Sequence, residues 1–175
     1  MPGCDILVTN KEGINVLHLA VYKNYGNIVK FLLKSGFPIG LKTKEGHSCL
    51  HLAAIMNRFE IVEEILNFLK ENQFKKKYAL TFINEINTQL NMTSLSMAIL
   101  SNNLNPNEKL TEKRNQMALS LISAGAKSYF QNNDETKDLS PVFLACEIED
   151  TNLIETMCDH GMDLLVKNSQ NQTPL

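Results

Sequence analysis

No run of about 18 apolar residues occurs anywhere in the chain, which argues against a membrane-spanning helix within it. The N-terminus has no basic segment leading into an apolar one, so no secretory signal is read there. Cys4, Cys49, Cys146 and Cys158 stand far apart with no CxxC pair or other metal-ligand spacing, a pattern that suits a reducing, cytoplasmic compartment, with the nucleus as the alternative. Cys49 and Cys146 fall inside apolar runs, where a free thiol is expected to behave as a small buried hydrophobe. The net charge of -2, from 17 basic and 19 acidic residues, supplies no field for holding phosphates, so nucleic acid is not an expected partner. Phosphate loops, nucleophile elbows and paired catalytic carboxylates are missing, and neither an activity nor a cofactor or metal is expected. Tryptophan is absent as well, whereas asparagine is abundant at 20 residues, a bias that fits an A/T-rich coding sequence.

What is present is ordinary globular composition, 43% hydrophobic and 21% charged, arranged with a period. The stretch from Glu12 to Gly36, EGINVLHLAVYKNYGNIVKFLLKSG, returns from Glu45 to Leu66 as EGHSCLHLAAIMNRFEIVEEIL. Gly13 maps to Gly46, the run Leu17 to Ala20 to the run Leu50 to Ala53, and Ile28-Val29 to Ile61-Val62, all at a shift of 33 residues. A later copy, SPVFLACEIEDTNLIETMCDHG, keeps the register, with Gly161 lying 19 residues after Val142 as Gly36 does after Leu17. Between them a degenerate copy, MTSLSMAIL, closes at Gly125-Ala126.

That third copy carries 12 extra residues before it and 11 between its two helical segments. Both insertions are expected to be loops, since a stack tolerates length there better than inside a helix. Lys75-Lys76-Lys77 reads as a solvated basic loop, Asn103 to Glu112 as a flexible turn-rich loop, and Asp134, Glu135 and Asp138 as a solvated acidic tip. The ends match parts of repeats: Gly3-Cys4-Asp5-Ile6 corresponds to Gly36-Phe37-Pro38-Ile39, and Gln172-Thr173-Pro174-Leu175 opens another copy. A fragment of a longer array is expected.

The residues predict helices. Leu17, Ala20 and Val21, then Ile28, Val29, Leu32 and Leu33, recur at helical spacing and should form the faces that neighbouring copies bury. Ala20, Ala53, Ala98 and Ala145 allow close helix packing. Gly13 and Gly46 suit tight turns, and Gly36, Gly125 and Gly161 suit helix stops.

A 33-residue period with a G-x-x-x-L-H-x-A core resembles the ankyrin-repeat family. The resemblance covers nearly the whole chain and implies an all-α ankyrin-repeat solenoid, with a hairpin tip and two antiparallel helices per repeat. It divides residues 1–175, one ankyrin-repeat domain, into a partial repeat over 1–9, repeats at about 10–42, 43–87 with insertion, 88–134 with insertion and 135–167, and a partial repeat over 168–175. His18 and His51 occupy the family's L-H-x-A position, where a histidine hydrogen-bonds the backbone of neighbouring hairpins, so a metal or catalytic role is not expected. Ser96 and Phe143 depart from it. Asn15 and Ser48 stand in the slot of the family's capping threonine and can still cap.

The same resemblance implies a non-catalytic protein-protein interaction module, a scaffold or adaptor whose hairpin tips and first helices bind another protein on a concave face. Carried over residue by residue, that face comprises Lys11, Glu12, Ile14, Tyr22 and Lys23 in the first full repeat, and Lys44, Glu45, His47, Ile55 and Met56 in the second. Gln89, Leu90, Met92, Leu100 and Ser101 follow in the third, then Thr136, Lys137, Leu139, Glu147 and Ile148 in the fourth. Exposed Tyr22, Ile55, Met56, Leu90 and Met92 would form an apolar patch of the kind that marks interfaces, the alternative being that the insertions cover them. The alternative is the regulatory or targeting array of a larger enzyme or ion channel, such as a palmitoyltransferase, kinase or cation channel. As a fragment the chain is expected to be monomeric.

Overall fold

A computed structural model gives the fold, described here over residues 6–71, 76–101, 108–130 and 138–174. Three of the four first helices are capped by a side chain. Asn15 caps α1 (Val16–Tyr22) by accepting the amide of His18, whose Nδ1 in turn accepts the Asn15 amide. Ser48 and His51 build the same reciprocal box on α3 (Cys49–Ile55). Thr93 caps α6 (Ser94–Leu100) by accepting the amide of Ser96. At α8 (Pro141–Glu147) Ser140 caps nothing, and its hydroxyl donates instead to the Phe130 carbonyl at 2.7 Å, while Pro141 opens the helix where a missing N–H costs little.

The second helices are α2 (Gly26–Lys34), α4 (Phe59–Glu71), α7 (Glu108–Ser123) and α9 (Thr151–Asp159). Asn24, Asn57 and Glu149 turn the chain from first to second helix with φ of 60°, 53° and 55°. Asparagine tolerates this left-handed conformation better than most side chains, and Asn91 and Asn171 also adopt it. The asparagine abundance therefore has structural uses beyond coding bias.

First helices pack on first helices in chain order, α1 on α3, α3 on α6 and α6 on α8. Second helices do likewise, α2 on α4, α4 on α7 and α7 on α9. The result is an all-α repeat solenoid whose continuous core runs from Leu17 to Met157. The only strands among the described residues are β1 (Ile86–Asn87) and β2 (Met92–Thr93), an antiparallel hairpin before α6.

Several expectations are corrected. The first insertion is not all loop, because Lys76 and Lys77 begin helix α5 (Lys76–Ile83), which buries Phe82 and Ile83. Asn84 pins it, donating to the Leu80 and Gly125 carbonyls and accepting the Lys127 amide. In the second insertion residues 108–112 belong to α7, while 102–107 lie outside the described residues. Asp134 and Glu135 also lie outside them, as does Cys4; Asp138 is described and accepts the Ser140 amide. Ile28 is 43% exposed, whereas its counterpart Ile61 is 1%. Helix α4 has second helices on both flanks, and among the described residues α2 has one only on the α4 side. Cys49 is buried as expected, but Cys146 is only half-buried.

Candidate protein interface

The hairpin tips precede the first helices and project beside them. Asn10 shapes the first tip, its side chain accepting the amides of Glu12 and Ile14. Thr43 shapes the second, accepting the His47 amide. Adjacent tips are bonded directly, with the Lys44 amide donating to the Glu12 carbonyl at 2.9 Å. Gly13 permits that approach: its φ is 76°, and a Cβ there would lie 2.9 Å from the Lys44 nitrogen. The second and third tips are joined through Asn87, whose amide donates to the Glu45 carbonyl and to His47 Nδ1.

The two family-position histidines tie tips to helices. Because Nδ1 accepts in each, Nε2 carries the proton and donates, from His18 to the Leu41 carbonyl at 3.1 Å and from His51 to the Glu85 carbonyl at 2.9 Å. Ser96 makes a shorter version of the link, its hydroxyl reaching the Leu139 carbonyl at 2.7 Å. Burial holds the His51 pKa down to about 4. Burial also lowers His18 and His47, against the opposing pull of the Leu41 carbonyl and of Glu45 respectively. Burial raises the Cys49 thiol to about 12, which makes it a poor nucleophile. His18 and His51 are thus neutral structural donors at neutral pH, and His47 accepts from Asn87. No group of three His, Cys, Asp or Glu suited to a metal occurs among the described residues.

Between the tips and first helices of the first two full repeats lies a cleft of about 400 Å³. Ile14, Leu19, Tyr22 and Leu52 supply its apolar surface, and Glu12, Lys23, Thr43 and Glu45 surround them. Tyr22 and Leu19 remain 52% and 49% exposed, a sizeable apolar surface for two adjacent turns of one helix. Lys23 places its ammonium 5.7 Å from the Tyr22 ring centroid, within cation-π range.

The predicted residues divide. Glu12, Ile14, Tyr22, Lys23 and Glu45 line the cleft, while Lys11 and Lys44 are exposed on the same tips outside its lining. His47 needs correction as a freely presented contact, because it is 8% exposed and bonded to Asn87; only part of its ring reaches the cleft. Ile55 is exposed and Met56 half-buried, both at the end of α3 and outside the cleft's lining. Gln89 and Leu90 are exposed on the third tip, and Met92 packs half-buried against the core. Leu100, Ser101, Leu139 and Ile148 are half-buried and Glu147 is exposed, whereas Thr136 and Lys137 lie outside the described residues. Sequence reasoning missed Leu19 and Leu52. The signal was available, since Leu19 stands three residues before Tyr22 on the side of α1 opposite Leu17, Ala20 and Val21.

A family model described as ankyrin repeats (3 copies) matches residues 1–76 and 17–117. Among solved structures, an ankyrin repeat domain from Acinetobacter baumannii AYE is similar in fold, with a TM-score of 0.72 at 19% identity. That alignment covers 92% of this chain and 71% of the other. No curated protein matches the sequence. No helix among the described residues is long and apolar enough to cross a membrane.

Proposed function

This chain belongs to the ankyrin-repeat family, and from that premise we propose that it binds a segment of another protein on the face formed by its hairpin tips and first helices, as a scaffold or adaptor. Ankyrin repeats are in general protein-protein interaction modules. The observation that carries the reading here is the cleft whose apolar surface comes from Ile14, Leu19, Tyr22 and Leu52. Stable monomers rarely leave contiguous large apolar side chains open to water without a use for them. Tyr22 is suited to the centre of such a contact, with a broad apolar ring and few rotamers to freeze. Ile55 is exposed at the end of the neighbouring first helix, with Met56 half-buried beside it. The tip charges Lys11, Lys44, Glu12 and Glu45 would steer association and set orientation.

The test is affinity capture with mass spectrometry on immobilised chain, repeated with the triple variant Tyr22→Ala, Ile55→Ala, Met56→Ala. Truncation of such anchors commonly costs roughly 2 kcal/mol or more each. The triple variant is expected to lose the captured protein while keeping its melting temperature. Retained capture by a folded triple variant would move the interface elsewhere, to the insertions or to the second-helix side.

A further inference from the structure

We infer that the cleft between the first two full repeats selects a segment in which an arginine neighbours a large apolar side chain, a reading that rests on the binding face proposed above. The cleft's apolar surface accepts the apolar side chain, and its volume of about 400 Å³ falls within the roughly 300–1,000 Å³ of clefts that enclose small organic groups. The charge around that surface is uneven. Glu12 and Glu45 both line it, and neither takes part in an ion pair with a lysine or arginine among the described residues. The cation near Glu45 would have to be His47, 3.7 Å away, but burial keeps that ring neutral at neutral pH. Lys23, the only lysine in the lining, has its ammonium over the Tyr22 ring.

Backbone hydrogen bonding sets the two glutamates on adjoining tips. The Lys44 amide bonds the Glu12 carbonyl at 2.9 Å, so Glu45 follows directly on the residue that joins the tips. Gly13 admits no Cβ at that joint, and Asn87 holds the Glu45 carbonyl from the other side. Two carboxylates at corresponding places on two bonded tips therefore stand beside one apolar floor. A guanidinium has five donors in a planar fork and takes a carboxylate bidentately, which an ammonium does less well. Its apolar neighbour would enter between Leu19, Tyr22 and Leu52. An acidic segment is disfavoured in the cleft, where its carboxylates would face Glu12 and Glu45, while Lys11 and Lys44 lie on the same tips outside the lining.

The probe is a displayed library of random linear peptides of about twelve residues, selected on the whole chain. Individual winners are then measured by fluorescence anisotropy against the wild type, the double variant Glu12→Gln, Glu45→Gln, and the double variant Leu19→Ala, Tyr22→Ala, with thermal melts confirming that all are folded. Winners are expected to share an arginine within two positions of Leu, Ile, Met or Phe. The glutamine variant should weaken them about tenfold or more, as loss of charge-assisted bonds does, and arginine-to-lysine exchange in the peptide should weaken them too. Winners without arginine, a failed selection, or affinities indifferent to the glutamine variant overturn the inference. If binding then still falls with Leu19→Ala, Tyr22→Ala, the binding face stands and only its arginine preference fails; if neither variant matters, both readings fail.

Discussion

Arg114 of α7 and Asp150, the residue that caps α9, form a buried ion pair between the third and fourth repeats. One Asp150 carboxylate oxygen accepts the guanidinium, and the other accepts the Leu153 amide at 3.0 Å. The two side chains are 7% and 9% exposed, so water screens them little. One carboxylate thus fastens a helix start to its neighbouring repeat.

Arg114→Met is expected to destabilise the chain by about 3–5 kcal/mol, because it strands a buried carboxylate. Adding Asp150→Asn removes that stranded charge and keeps a competent cap, so the double variant should recover part of the loss. Urea unfolding checks both. A double variant no more stable than Arg114→Met would contradict the pairing.

Acid should weaken the stack from the first two full repeats. His51 titrates near pH 4 in the fold against 6.5 unfolded, so the unfolded chain binds more protons between those values. Stability contributed by neutral His51 is complete above about pH 6.5 and is lost as pH falls towards 4, by on the order of 3 kcal/mol. His18 and His47 shift in the same direction. Unfolding midpoints at pH 7 and pH 5 should differ accordingly, and His51→Gln should flatten the dependence while lowering stability at pH 7. An unchanged slope in that variant would assign the acid sensitivity elsewhere.

Ala20→Asp and Ala53→Asp place a charge where the native side chains are 3% and 0% exposed. Each should cost several kcal/mol, as unpaired buried charges do. Thermal melts at wild-type temperature would show that these alanines do not line the helix interfaces.

Gly125 has φ of 100°, and a Cβ on it would run into Leu80 Cδ2 on α5. Gly125→Ala should therefore destabilise by roughly 1–3 kcal/mol from backbone strain, with a further part from the clash. Leu80→Ala should relieve only the clash part, leaving a positive coupling in a double-mutant cycle. Strict additivity would mean that α5 does not sit against this turn.

The repeat was legible in the sequence because stacking needs the same small and apolar side chains at the same offsets, and those recur from Leu17 to Leu50 and Val142. Caps were legible too, since Asn15 and Ser48 act within four residues of chain. Helix α5 was not. Its Lys-rich start lacks a cap signal, and it gains its partners, Gly125 and Lys127, from about forty residues away through Asn84.

The cleft follows the same division. Sequence placed Glu12, Ile14, Tyr22, Lys23 and Glu45 on one face, because a hairpin tip and the exposed side of a helix lie at constant offsets within a repeat. It could not rank them. His47 and Glu45 stand two residues apart on one tip, yet one is buried against Asn87 and the other is open, a difference made by a residue forty positions away. By itself, then, the sequence determined the period, the paired helices of each repeat and the offsets of tip and first-helix residues, all of them consequences of local spacing. Only the tertiary structure decided which side chains of that face meet, because the cleft exists where one repeat's tip is hydrogen-bonded to the next.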